Sequence, residues 1–356
     1  MFRFHPDKAH SGVVNILFVC GKIPGFPWLF RKLVSRRHRE LEFKWKDMSF
    51  SSPVGLSAGL DKNGQTVPMM RALGFGFSEV GSVTAKPCTG NEKPWFYRLP
   101  KTGSLVVHVG LANIGVRKIL ERLHRMPVSL QQEYPTIMSI ARTNSKNASG
   151  VDEGIADYVA SAKAAKKSPA IQAVELNISC PNAFGGCTFT TKQLLKKLLD
   201  AIDEVALGKP IFIKMPIDLD WNQTKTLLDE AIKHDVTGVT LSNLTKRRDL
   251  VAFKGGEVLP DNIQGSLSGV PLRQRSTELV RKVYKAYGKR LVIIGVGGVM
   301  SAEDAYEKIK AGATFVELVT GLILRGPFIE EVNSGLVRLM KADGYTHISE
   351  AVGRDS

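Results

Sequence analysis

Cysteine is scarce in this chain of 356 residues. Cys20, Cys88, Cys180 and Cys187 lack the regular pairing of a secreted disulfide scaffold, so a reducing compartment is expected. Cys180 and Cys187 have no second ligand pair beside them, and no metal is expected. No apolar run is long enough to span a bilayer, and residues 1–10 are polar, so neither a transmembrane helix nor a signal peptide is expected. Internal repeats and low-complexity tracts are missing, as is the Gly-x-Gly-x-x-Gly spacing, with its following acidic residue, of a dinucleotide site. Acidic side chains are the scarcer sign, 34 against 49 Lys and Arg, which leaves a formal net charge of +15.

That excess is dispersed over helical stretches such as 163–167 and 192–197, the pattern of a solvated basic surface, and no nucleic-acid partner is expected. One concentration differs. Arg31-Lys32 and Arg36-Arg37-His38-Arg39 follow the apolar stretches 13–20 and 26–30, a combination suited to an acidic membrane surface. With 43% hydrophobic and 23% charged residues, the remainder has the composition of a globular protein with a large core.

From residue 53 onward, short β-rich runs alternate with amphipathic stretches. Strands are expected at 53–58, 77–83, 136–141, 173–178, 211–215, 238–242, 291–295 and 315–319, with helices among them at 152–166, 191–205, 221–234, 272–287, 302–311 and 328–341. Alternation implies parallel pairing, and a count of eight favours an α/β fold of the closed (β/α)8 TIM-barrel type over an open sheet. Residues 1–46, helical on both sides of the breaker at 21–27, read as a small N-terminal helical hairpin for membrane contact. The barrel is expected over 47–345, followed by a tail at 346–356. The glycine-rich segment 246–271, between strand six and its helix, is a candidate lid or cofactor loop.

In such a barrel the chemistry lies past the carboxyl ends of the strands. Strand four runs into Asn177-Ile178-Ser179-Cys180-Pro181-Asn182, a thiol between amides, equipment for holding a flat polar ligand and taking a proton from it. Gly295-Val296-Gly297-Gly298 and Val319-Thr320-Gly321 follow strands seven and eight, where backbone N–H groups can grip a phosphate. Lys214 ends the apolar strand five and requires an anionic or electron-rich partner. Lys62, after strand one, is suited to a carboxylate or to cofactor oxygens, although its Asp-Lys-Asn-Gly setting is also that of a solvated turn.

Further motifs share these positions: His5-Pro6-Asp7-Lys8-Ala9-His10, Ala58-Gly59-Leu60-Asp61-Lys62, Gly74-Phe75-Gly76, Gly81-Ser82-Val83-Thr84, Gly90-Asn91-Glu92-Lys93-Pro94, Leu267-Ser268-Gly269 and Gly326-Pro327. Over nearly its whole length the chain resembles the dihydroorotate dehydrogenase family, specifically the quinone-linked, membrane-associated class 2 branch. The resemblance implies FMN held by Ala58, Gly59, Lys62, Ser82, Ser139, Asn177, Lys214, Ser242, Gly269, Gly298, Val319 and Thr320. It implies Lys62, Asn177, Asn182 and Asn243 on the substrate ring, Cys180 as the base, and oxidation of dihydroorotate to orotate, in pyrimidine biosynthesis, with electrons passed to a membrane quinone. The protein is then expected on the cytoplasmic side of a membrane, as a peripheral protein.

The chain also departs from that pattern. Cysteine at Cys180 belongs to the soluble class 1 enzymes, class 2 having serine there. Val107 stands where the family has a substrate-binding asparagine, Leu244 replaces a hydroxyl residue after Asn243, and Ala141-Arg142 replace Gly-Lys. Apolar side chains cannot make the lost hydrogen bonds to a carboxylate. Two alternatives therefore stay open: a paralogous FMN oxidoreductase for a different small cyclic or unsaturated substrate, and a membrane-attached flavin-binding protein without turnover.

Overall fold

The computed structural model describes residues 5–179 and 188–356. Eight strands form the expected closed barrel, here numbered β1 (Val54–Leu56), β2 (Phe77–Val83), β3 (Thr136–Ile140), β4 (Ala173–Asn177), β5 (Ile211–Met215), β6 (Gly238–Leu241), β7 (Val292–Val296) and β8 (Phe315–Leu318). They pair in chain order, every pair parallel, and close on themselves. All eight match the expected strands to within two residues, because short apolar runs covered on both faces are unambiguous between amphipathic helices.

The outer helices bury one stripe each. The helix Lys192–Asp203 turns Leu195, Leu198, Leu199 and Ile202 inward, the i, i+3, i+4, i+7 spacing of a half-buried helix, and Thr191 caps its start by accepting from the Leu194 N–H. A capping box of Asp220 and Gln223 begins Trp221–Ala231.

The bottom of the barrel is plugged by an antiparallel hairpin, Phe43–Trp45 with Met48–Phe50. Its rings pack against inward residues of the first layer: Phe50 lies 4.7 Å from Phe315 and 5.9 Å from Phe77, and Trp45 5.9 Å from Phe212. Gly55 makes room for this layer, since a Cβ there would come within 2.2 Å of the Phe77 ring. The expected boundary at residue 46 falls in the turn of this hairpin, so the barrel's floor is built partly from the segment that precedes it.

Over the opposite mouth lies a three-stranded antiparallel sheet in which Ser104–Val107 is flanked by Phe96–Leu99 and Ser266–Gly269. The segment 246–271 is therefore not loop throughout: its end is the third strand of this cover. The expected N-terminal hairpin comprises α1 (Pro6–Lys22) and α2 (Phe26–Val34), bent by 112°. Among the described residues no single helix is long and apolar enough to cross a membrane. The start of α1 is fastened to the cover by Asp7, whose buried carboxylate accepts from the N–H groups of Trp95 and Phe96 at 3.1–3.2 Å.

Replacing Phe315 by Ala removes a ring that touches Phe43, Trp45, Phe50 and Phe77. The expected loss of stability, read by urea unfolding, is about 3–5 kcal/mol, the usual range for a buried aromatic.

Candidate active site

Side chains alternate along each strand, so the residues two places above the aromatic floor again face the barrel axis. At that level stand Glu79 on β2, Glu175 on β4, Lys214 on β5 and Glu317 on β8, all buried. The Lys214 ammonium donates to Glu79 Oε2 at 3.2 Å and Glu175 Oε1 at 3.3 Å. Burial opposes its charge, but Glu175, Glu79 and Glu317 together outweigh burial and raise its pKa, so Lys214 is a permanent cation.

A continuous hydrogen-bonded chain rises from this pair to the mouth. Ser139 Oγ donates to Glu175 Oε1 at 3.0 Å and lies 2.9 Å from Ser82 Oγ. Asn177 Nδ2 donates to Ser82 Oγ at 2.9 Å, and Asn243 Nδ2 donates to Asn177 Oδ1 at 2.9 Å. On the other side the Ala58 N–H donates to Glu79 Oε2 at 2.9 Å. The amides, the hydroxyls and the first loop are thus aligned by one buried network.

Above it opens a cavity. Ala58, Gly59, Lys62, Ser82, Asn177, Lys214, Ser242, Gly269, Gly298, Val319, Thr320 and Asn243 all line it, so the structure brings together nearly every residue singled out in the sequence. Ser139 is the exception among those described. It sits one level deeper and reaches the cavity only through Ser82. Cys180 and Asn182 lie outside the described residues. Ser242 Oγ is buried at the cavity wall with no partner among the described residues, which leaves it available to a ligand.

After β7 the chain turns through Gly297 and Gly298 at φ of 114° and 77°, and a Cβ on Gly298 would lie 2.5 Å from Arg273 Cβ. Only glycine fits this turn, and its backbone is thereby exposed to an anion. Thr320 Oγ1 is set beside it, 2.9 Å from Ser268 Oγ of the covering sheet.

Lys62 is placed by Asp61, whose carboxylate accepts from the N–H groups of Asn63, Gln65 and Thr66 and from the Thr66 hydroxyl. Of the two readings of this segment, the structure has not the solvated turn but a clamped loop that aims Lys62 inward. Its ammonium donates to Gly59 O at 2.6 Å, lies 3.1 Å from His10 Nε2 and sits over the Phe96 ring at 5.2 Å. Burial lowers the Lys62 pKa to about 8, against the attraction of Asp61 and Asp7. Burial and then the Lys62 charge push His10 down to about 3, so His10 is neutral and accepts from Lys62.

His10, Glu79, Glu175 and Glu317 were not singled out as site residues in the sequence. The signal for the glutamates was available: a carboxylate inside an apolar run raises the same demand for a partner as Lys214. Arg142 does not reach the cavity, but donates from its buried guanidinium to Ala148 O at 2.7 Å. Val107 and Leu244 do line it.

The dihydroorotate dehydrogenase family model matches residues 40–340. The chain belongs to the dihydroorotate dehydrogenase family. It is 34% identical to the dihydroorotate dehydrogenase (quinone) of Deinococcus deserti, covering 100% of this chain and 98% of that protein. It is 36% identical to the protein of the same name from Anaeromyxobacter dehalogenans, covering 100% and 95%. Among solved structures, the DHODH of Eimeria tenella in complex with ferulenol superposes with a TM-score of 0.81 at 26% identity, covering 98% of this chain and 95% of that one. The protein is an oxidoreductase of a flavin-dependent family.

Lys214→Met leaves three buried carboxyls without their cation. Stability should fall by about 3–5 kcal/mol, as when one partner of a buried pair is removed. The loss, by urea unfolding, should be larger at pH 8 than at pH 5, because the orphaned carboxyls stay folded only while protonated.

Proposed function

We propose that this chain is a quinone-dependent dihydroorotate dehydrogenase that binds FMN at the barrel mouth and returns its electrons to a membrane quinone. The observation that carries the quinone half of this reading is a second, almost wholly apolar cavity of about 280 Å³ between the N-terminal hairpin and the barrel, lined by Ala9, Val13, Leu17, Phe30, Leu60, Met70 and Leu322. It shares His10, Phe96, Leu105 and Ile323 with the cavity at the barrel mouth, so an apolar ring could reach the edge of a bound cofactor without crossing water.

The residues present fit FMN. Gly297, Gly298 and Thr320 suit its phosphate, the unpartnered Ser242 hydroxyl faces the same space, and Lys214 offers a permanent positive charge to an electron-rich ring edge. When bound, FMN would accept a hydride from the dihydropyrimidine and give up electrons one or two at a time. Lys62, Asn177 and Asn243, with Asn182, would hold the substrate's carbonyl and N–H edges, and Cys180 would take the proton.

The hairpin suits a membrane surface on the cytoplasmic side. It exposes Ile16, Val19, Trp28, Leu29 and Leu33, and Lys32 lies over the Trp28 ring at 3.8 Å. The basic cluster is partly spent within the protein, Arg37 on Glu42 and His38 on Glu330, so the apolar side chains carry more of this contact than the sequence suggests.

A second reading, a paralogue acting on a different small cyclic or unsaturated substrate, is favoured by Val107 and Leu244, which present apolar surface to the cavity.

Anaerobic dihydroorotate should bleach the flavin of the purified protein, and a soluble quinone should restore it. Val13→Trp, which fills the apolar cavity, should slow reoxidation by quinone about tenfold or more while leaving bleaching unchanged; equal quinone rates would remove this cavity from the reading. Cys180→Ala should retain flavin and slow bleaching by roughly two or more orders of magnitude, the scale of general-base removal. Val107→Asn should speed bleaching by dihydroorotate if that is the substrate, and do nothing for it if the paralogue reading holds.

A further inference from the structure

Among the described residues Lys214 is the single ammonium in hydrogen-bond contact with this cluster of three buried carboxyls, and it holds only two of them. Among the described residues neither oxygen of Glu317 makes a hydrogen bond of ordinary geometry, although the Ser57 hydroxyl and the Glu79 carboxyl lie near enough to ease its charge slightly, and the residue lines the cavity in which the cofactor is placed by the function proposed above. The strands beside β8 contribute nothing charged: Gly55 of β1 and Val296 of β7 are its register neighbours. Across the barrel it faces Glu79, Glu175 and Lys214. Lys62 and neutral His10 line the same cavity from the first loop and from α1. With every group ionised, the cluster would hold two uncompensated negative charges out of water, an arrangement that buried carboxyls relieve by keeping a proton.

We propose that Glu317, the carboxyl of this cluster not held by Lys214, is a positioning residue that keeps a proton and so balances the charge beneath the cofactor pocket, and that its ionisation weakens cofactor binding. The protonated acid can donate to the carbonyl and nitrogen edge of an isoalloxazine ring. The carboxylate can only accept, repels that edge and competes for Lys214. In keeping with this, burial, countered by Lys214 and reinforced by Glu175, raises the Glu317 pKa to about 7. Burial and then Glu175 and Glu317 raise Glu79 well above the carboxylate range, so the two titrate as a unit with Glu317 on the cavity side.

This inference rests on the cofactor reading, and its test separates the two. FMN titrated into apoprotein between pH 5.5 and 8.5 should bind the unaltered protein about tenfold more weakly at the upper end, one pKa unit being a factor of ten. Glu317→Gln, an isosteric mimic of the protonated acid, should bind with the low-pH affinity throughout. The melting temperature of the apoprotein supplies a readout that needs no flavin. A carboxyl raised from 4.5 to about 7 contributes stability that is present below its unfolded pKa and lost as pH rises through its folded one. Glu317→Gln should therefore gain on the unaltered protein between pH 5 and 8. Parallel melting curves across that range, or a pH-dependent affinity that survives in Glu317→Gln, would overturn the role of Glu317. Absence of FMN binding at every pH, with the melting curves still diverging, would overturn the cofactor reading and leave the proton on Glu317.

Discussion

A buried ammonium needs counter-charge at contact distance, and a barrel interior has no water to supply it. Lys214, on β5, meets that demand with Glu79 and Glu175, contributed by strands three and one places away around the ring, so the pair is satisfied only when the barrel is closed in its native register. A slip by one residue would turn each of these charges outward into the apolar interface with the helices. The charged layer is thus a test of register, placed between an aromatic floor that tolerates no charge and a mouth that requires polarity. From it the chain of Ser139, Ser82, Asn177 and Asn243 inherits its orientation, and with it the direction in which the amides present their hydrogen bonds.

The N-terminal hairpin is joined to this core by polar contacts rather than by packing alone. Asp7 fastens α1 to the covering sheet through backbone N–H groups, and three residues later His10 meets Lys62 at the cavity edge. The helix that lines the apolar cavity therefore also supplies a wall of the one at the barrel mouth. Burial keeps His10 neutral, so it accepts from Lys62 without adding a second positive charge, and Lys62 keeps its ammonium turned toward the space a carboxylate-bearing ligand would enter.

The barrel was legible in the sequence because each strand is a short apolar run between helices with clear caps and stripes. The loops after the strands were legible too, since glycines and amides in those places have few other uses. The charged layer was not read, although Glu79, Glu175 and Glu317 sit in the same kind of run as Lys214, because a single acid in a strand is easily taken for an exposed face. The covering sheet was hidden for a different reason. Ser104–Val107 pairs with Ser266–Gly269 across more than half the barrel, and no local pattern records a partner so distant in sequence.

That covering sheet also explains how side chains at the pocket can vary while the fold does not. Val107 sits at the end of a strand paired on both sides, Phe96 on one and Ser266 on the other, through backbone groups that any side chain leaves intact. Leu244 follows Asn243, whose Oδ1 accepts from the Leu244 N–H and whose Nδ2 is held by Asn177, so the backbone there is again fixed by atoms other than the variable side chain. Substitution at either position changes what the cavity offers a ligand without opening a void in the core or stranding a charge. The charged layer has less freedom, because removing Lys214 leaves the carboxyls around it buried and uncompensated. Val107 on the cover and the charged layer within the barrel can therefore change independently, because different backbone contacts hold them.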